Sequence, residues 1–137
     1  MKINKKAFFE YNLIEKYKAG IVLFGKEVKY IRHNKFNIYN SFCKIINQNI
    51  YLINFKINKL KRRNIKLLLK KKEIIKIYQK IKNTNYTIIP IKIFFSRSGF
   101  AKINIYISSK KKKNEKIKIS KKKEKQINEK RLKKYYL

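Results

Sequence analysis

The sequence predicts a mainly β protein, a small antiparallel β-barrel or curled sheet of five or six short strands with two helices and a basic tail. Three observations carry this. Ala101, Ile103, Ile105 and Ile107 alternate with Lys102, Asn104 and Tyr106, the period-2 signature of a half-buried antiparallel strand. Several other short runs rich in Ile, Leu, Tyr and Phe are bounded by Asn, Gly or Ser turns, the spacing of a small barrel. At Ser108 the composition shifts: from there to Leu137 the apolar residues are too sparse to bury a face and the net charge is +11. Residues 1–107 therefore read as the barrel domain. Residues 108–137 read as a tail that is disordered alone and can become helical when a polyanion neutralises it.

Taken in order, residues 8–24 read as a strand pair: Phe8, Phe9, Tyr11, Leu13 and Ile14, a basic link, then Ile21, Val22 and Leu23 after Gly20. Residues 25–42 join a glycine turn, a short helix near 26–33 and a second turn into a strand. Glu27 opens that helix, while Lys29, Arg32 and His33 place positive charge near its C-terminal end, where the helix dipole favours it. The chain has three glycines, and two of them, Gly20 and Gly25, lie at this unit, which marks them as backbone demands. Residues 38–46 and 50–57 read as strands joined by a hairpin at Asn47, Gln48 and Asn49. The basic stretch 59–64 is a loop. From Ile65, the positions of Leu68, Ile74, Ile75, Tyr78 and Ile81 approximate helical spacing over a long run. Residues 86–95 form a strand in which Pro90 demands an edge or a bulge, and 96–99 make a turn into the last strand.

The formal charge is +32, from 39 Lys and Arg against seven acidic residues, all Glu. Lys, Ile, Asn, Tyr and Phe are abundant together, as AT-rich coding favours, so part of the lysine count is compositional drift. The clustering of the lysines and the scarcity of acids nevertheless predict a polyanionic partner, nucleic acid before membrane. No apolar run approaches the roughly 20 residues of a membrane span, and the basic N-terminus lacks the apolar core of a signal peptide. The reading is a soluble, cytoplasmic protein. One Cys and one His supply neither a disulfide framework nor a zinc site, and the sequence implies no metal and no cofactor. Without Asp, with scattered Glu and with no phosphate-cradling glycine loop, an enzyme is not expected. Cys43 reads as a small buried thiol and His33 as an exposed cap or phosphate contact.

What is present is basic residues interleaved with aromatics, the pattern of RNA binding through stacked bases and held phosphates. Tyr30 and Tyr106 occupy polar phases of their elements and are the stacking candidates. Phe36, Phe42, Phe55, Phe94 and Phe95 read as core.

The marks along the chain resemble those of the small protein B (SmpB) family, the tmRNA-binding partner in bacterial trans-translation. They run in order: Asn4-Lys5-Lys6-Ala7; Tyr17-Lys18-Ala19-Gly20-Ile21-Val22-Leu23; Gly25-Lys26-Glu27-Val28-Lys29 with Ile31-Arg32; and Lys35 through Ser41. Lys66-Leu67-Leu68-Leu69 with Lys72-Glu73-Ile74, a proline strand at 87–95, Ala101-Lys102-Ile103 and a basic tail complete them. The sequence departs from the family pattern at Lys18, where relatives commonly carry Glu, at Phe9 and Lys56 in place of His, at Ser109, in a shorter 58–64 loop, and at 114–117, Asn-Glu-Lys-Ile.

The resemblance implies an OB-like closed barrel of about six strands with two or three short helices, acting as a monomer. It implies that the barrel binds the tRNA-like domain of tmRNA (SsrA). The tail would probe the decoding centre, with its 16S rRNA, and the empty mRNA channel of ribosomes stalled on mRNA lacking a stop codon. Alanyl-tmRNA would enter with elongation factor Tu, and catalysis would stay with the ribosome. The RNA-binding residues expected are Lys26, Lys29, Tyr30, Arg32, His33, Lys35, Asn37, Lys66 and Lys102 on the barrel, and Lys111, Lys112, Lys113 and Lys116 in the tail. Glu27 reads as a first-turn helix carboxylate, and Leu67, Leu68 and Leu69 as mostly core. The rival reading is a small basic ribosomal or generic RNA-binding protein.

Overall fold

The computed structural model describes residues 3–111. Within them the elements run α1 (Lys5–Glu10), β1 (Tyr11–Ile21), α2 (Gly25–Arg32), β2 (Phe36–Asn37), β3 (Phe42–Ile46), β4 (Asn49–Ile53), β5 (Lys56–Ile57), β6 (Ile65–Leu68), α3 (Lys71–Ile81), β7 (Thr87–Phe95) and β8 (Ala101–Lys110). Six strands close an antiparallel barrel in the order β1-β6-β4-β3-β7-β8, and β8 pairs back onto β1. β2 and β5 form a separate two-stranded ribbon.

The interior is aliphatic. Ile50, Leu52, Ile65, Leu67, Ile93, Ile103 and Ile105 are essentially inaccessible. Each full burial of such a side chain contributes about 1.5–3 kcal/mol. The two longer helices close the two ends. α2 follows β1 and inserts Ile31 into the core; α3 follows β6 and inserts Ile74 and Ile77.

The expected strand pair at 8–24 is instead a helix and one long strand. Asn4 decides the first part: its side chain accepts from the Ala7 N–H (3.3 Å) and donates to the Pro90 carbonyl (2.9 Å), so it caps α1 and pins it to β7. The basic link is the outward phase of β1. Tyr17, Ala19 and Ile21 point into the barrel, while Lys16 and Lys18 stand in solvent.

α1 also overrides the alternation expected in β8. It lays Ala7 and Phe8 over the outer wall, making a second small core with Ile89, Ile91 and Tyr106. Tyr106 is therefore buried on the phase that the pattern marked as solvent, and Asn104 is buried on the same phase.

Two further boundaries move. Residues Ile65–Leu68 are strand, with Ile65 and Leu67 buried and Lys66 and Leu68 exposed, because they bridge β4 to β1 and close the barrel. The helix begins only at Lys71, where Glu73 accepts from the Lys70 N–H (3.2 Å). β8 runs through Lys110, and Lys111 is buried with its ammonium on the Phe8 carbonyl (2.9 Å), so ordered strand extends past the composition shift at Ser108.

Other expectations hold in detail. The register shifts between Pro90 and Lys92, the bulge that Pro90 called for. Asn47 (φ 50°) and Gln48 (φ 67°) make the two-residue turn between β3 and β4.

The glycines carry less of the backbone demand than their rarity suggests. Gly99 has a left-handed φ of 86°. At Gly20 a Cβ would lie 3.3 Å from Leu68 Cβ, so a side chain there would crowd Leu68 at the close β1–β6 approach. The other left-handed positions fall to Asn34, Asn40, Asn54 and Asn58, besides the hairpin pair. Asn tolerates that region better than other residues with a Cβ, since its short amide can bond locally.

Candidate nucleic-acid interface

α2 is built from its N-terminus by Glu27. The buried carboxylate accepts from the Phe24 N–H (2.8 Å), satisfying a free donor of the first turn. It also takes a two-pronged contact from Arg63, Nη2 to Oε1 at 2.6 Å and Nε to Oε2 at 3.1 Å. Arg63 further donates to the Val22 carbonyl (3.1 Å) and lies 4.3 Å from the Phe24 ring centroid. Glu27 is thus a structural carboxylate, and the basic 59–64 loop supplies its partner. Arg63 is occupied by the fold, and Arg62 donates to Asn54 Oδ1 (2.7 Å).

With Glu27 and Ile31 turned inward, Lys26, Lys29 and His33 share the outer face of α2 by their i, i+3, i+7 spacing, all exposed. Tyr30 is half-buried against the core at the edge of this face. Lys35 follows in solvent, its N–H on the Tyr30 carbonyl (2.9 Å). Asn37 uses its Oδ1 to accept from the Tyr39 N–H (2.9 Å), a turn contact within the loop. Arg32 leaves the group. Its guanidinium lies 4.2 Å from the Phe95 ring centroid at the end of β7, a cation–π contact.

Lys66 and Lys102 belong to the outer wall of the barrel. Lys102 stands opposite Gly20 of β1 and Phe94 of β7. On the same outward phase, Lys18 and Lys92 bring their ammonium groups to 5.4 and 5.9 Å from the Phe94 centroid. Asn104 pairs in register with both of these lysines, and its buried Oδ1 has no hydrogen-bond partner among the described residues. Leu68, 55% exposed opposite Gly20, borders this wall rather than joining the core.

The predicted residues are therefore divided between a helix face and a barrel wall. Sequence reading missed Lys18 and Lys92 on the wall. The signal was the Lys16, Lys18 alternation, legible once 11–21 is taken as a single strand. Phe94 is half-buried on the outer wall and Phe42 is exposed, so these rings depart from the core assignment; Phe95 packs half-buried against the core, and Phe36 and Phe55 are within it, their centroids 5.6 Å apart. Lys111 faces inward. Lys112, Lys113 and Lys116, with the rest of the predicted tail, lie outside the described residues.

Both faces can neutralise phosphates, and the wall adds the half-buried Phe94 ring, which can contact bases. A nucleophilic role for Cys43 has no support: burial pushes its thiol well above the ordinary range, so the thiolate is suppressed. No described helix is long and apolar enough to cross a membrane.

Comparisons with known proteins converge. The family model described as SmpB protein matches residues 1–135. A protein of Fervidobacterium nodosum named SsrA-binding protein is 43% identical, the match covering 96% of this chain and 93% of that one. SsrA-binding proteins of Thermosipho africanus and Mycoplasma mycoides are each 41% identical, with 92% and 88% of both chains covered, respectively. Among solved structures, a chain from "tmRNA-SmpB: a journey to the center of the bacterial ribosome" superposes with a TM-score of 0.68. It is 33% identical, and the match covers 82% of this chain and 85% of that one.

Proposed function

The chain belongs to the SmpB protein family, and from that premise we propose that it binds tmRNA and serves trans-translation on stalled ribosomes. The observation that carries this is the SmpB match over residues 1–135, which spans the barrel and the basic C-terminal segment together. The barrel supports it physically. Two basic faces on one rigid body can hold two RNA surfaces at once, the tRNA-like domain of tmRNA on one and ribosomal RNA on the other. The α2 face offers Lys26, Lys29 and His33. The wall offers Lys18, Lys92 and Lys102 around Phe94.

Rigidity matters here, because phosphate contacts position an RNA only if the cations keep fixed spacings. The Glu27–Arg63 contact fixes α2 on the barrel end for that purpose. Residues 112–137 follow β8 and, in this reading, enter the decoding centre and the empty mRNA channel as alanyl-tmRNA arrives with elongation factor Tu. The protein works as a cytoplasmic monomer, and the ribosome supplies the chemistry.

The test is competition binding of the tRNA-like domain of tmRNA against ordinary tRNA at near-physiological salt. Clear preference for tmRNA is expected. Equal, salt-labile binding to both would overturn the reading in favour of a generic basic RNA binder. Lys26→Ala with Lys29→Ala, and separately Lys18→Ala with Lys102→Ala, then identify the tmRNA face. The pair on that face flattens the log–log salt slope by about 0.7–0.9 per lost phosphate contact.

A further inference from the structure

α3 carries more apolar surface than the barrel uses. Ile74 and Ile77 fill the barrel end, but Ile75 and Tyr78 are turned away from it, 47% and 53% exposed. With Lys71, Gln79 and Lys82 they form one stripe of the helix by spacing (i, i+4, i+7, i+8, i+11). This stripe walls a groove of about 610 Å³ against Ile45 and the Asn47–Gln48 turn. The groove continues for about 460 Å³ over the β3–β7 seam, past Tyr86, Phe42 and Lys44. β3 meets β7 there through one register pair, Cys43↔Ile88.

The lining combines exposed rings (Tyr78, Tyr86 at 38%, Phe42 at 37%) with lysines at Lys44, Lys71 and Lys82. No acidic side chain is among the described residues that line it. The amides of Asn47, Gln48 and Gln79 can both donate and accept toward base edges. The volume falls within the roughly 300–1,000 Å³ of small-ligand sites, suited to one or two nucleotides rather than a duplex. Lysines at both ends of the stripe interrupt the continuous apolar face that an amphipathic peptide helix would need.

We propose that the groove between α3 and the β3–β4 hairpin binds an unpaired RNA nucleotide, stacking its base on Tyr78 and holding its phosphates with Lys71, Lys82 and Lys44. This site lies at the opposite end of the barrel from α2. It reads single-stranded RNA, and goes beyond the tmRNA reading.

The experiment uses the full chain and a short single-stranded RNA carrying 2-aminopurine, with ultraviolet cross-linking and peptide mapping on the same complex. Binding should quench the 2-aminopurine fluorescence, and cross-links should map to peptides containing Tyr78 or Tyr86. Tyr78→Ser, at an exposed position, should remove the quench and weaken binding by about five-fold or more. Lys56→Ala, at an exposed lysine of β5 outside both basic faces and the groove, should leave the quench intact. Cross-links confined to other segments, or an unchanged quench in both Tyr78→Ser and Tyr86→Ser, would overturn the proposal. So would displacement of the RNA from Tyr78 by an acidic amphipathic peptide but not by unlabelled single-stranded RNA. The tmRNA competition assay is independent of this readout: tmRNA preference without a Tyr78 signal sinks the groove alone, and a Tyr78 signal without tmRNA preference sinks the tmRNA reading alone.

Discussion

The two ends of the barrel are closed by helices of opposite design. At the α2 end, the buried Glu27 carboxylate joins Arg63, the Phe24 N–H and, through Arg63, the Val22 carbonyl, while Arg32 stacks on Phe95. Three segments, α2, the 22–24 link and the 59–64 loop, are tied at Glu27 and Arg63, and Arg32 adds a separate contact to β7. At the α3 end the helix is held mainly by Ile74 and Ile77. Its ion pair, Lys80 with Glu15, is exposed, and an apolar stripe stays open. The difference teaches that burial of polar atoms marks where the fold needs a fixed orientation. Exposure of apolar atoms marks where it leaves a surface to be covered.

The sharpest break of this comparison lies within α3. Ile77→Ala removes a fully buried side chain and should cost about 2–5 kcal/mol in chemical denaturation, whereas Ile75→Ala should cost less than about 0.5 kcal/mol. Similar losses at both positions would mean that the stripe is core and the groove closed.

Next come the ion pairs. Glu27→Ala strands Arg63 at a site where the two side chains are 7% and 31% exposed, and should cost about 2 kcal/mol, discounted for the partly solvated guanidinium. Lys80→Ala, from a pair exposed at 47% and 38%, should cost about 0.5 kcal/mol or less. Equal effects would erase the distinction between the ends.

The smallest effect is expected at the seam. The folded Cys43 thiol ionises above its free value of 9.0, so below that pH it leaves stability unchanged, and as pH rises past it the unfolded chain loses its proton first and stability falls. Cys43→Ala should reduce this alkaline fall, and native Cys43 should resist alkylation until the chain unfolds. Rapid alkylation of the native protein would mean that the β3–β7 seam opens.

Much of the barrel is legible in the chain because its strands use period 2 where one side is truly solvent. That holds for the inward phase of β8, the β3–β4 hairpin and the Pro90 bulge. It fails at Tyr106, where α1 covers the outer wall, since no local pattern records which distant helix will land on a strand. It fails again at 65–68, where four apolar-rich residues fit helix or strand and only pairing with β4 and β1 decides. The site was legible in type and only partly in grouping. Lys26, Lys29 and His33 share a face by helical spacing alone. Lys102 joins Lys92 across the β7–β8 hairpin, but it joins Lys18 only through register between β1 and β8, strands about 80 residues apart in sequence, which local spacing does not encode.

The sequence by itself determined the class of partner, the mainly β architecture and the family, because charge, period and the order of motifs are properties of the chain. Only the tertiary structure decided that Glu27 and Arg63 serve the fold, that Arg32 leaves the helix face for Phe95, and that α3 keeps an open stripe. Each of those depends on what a side chain meets after closure, and burial converts the same charged or apolar group from a surface contact into a structural one.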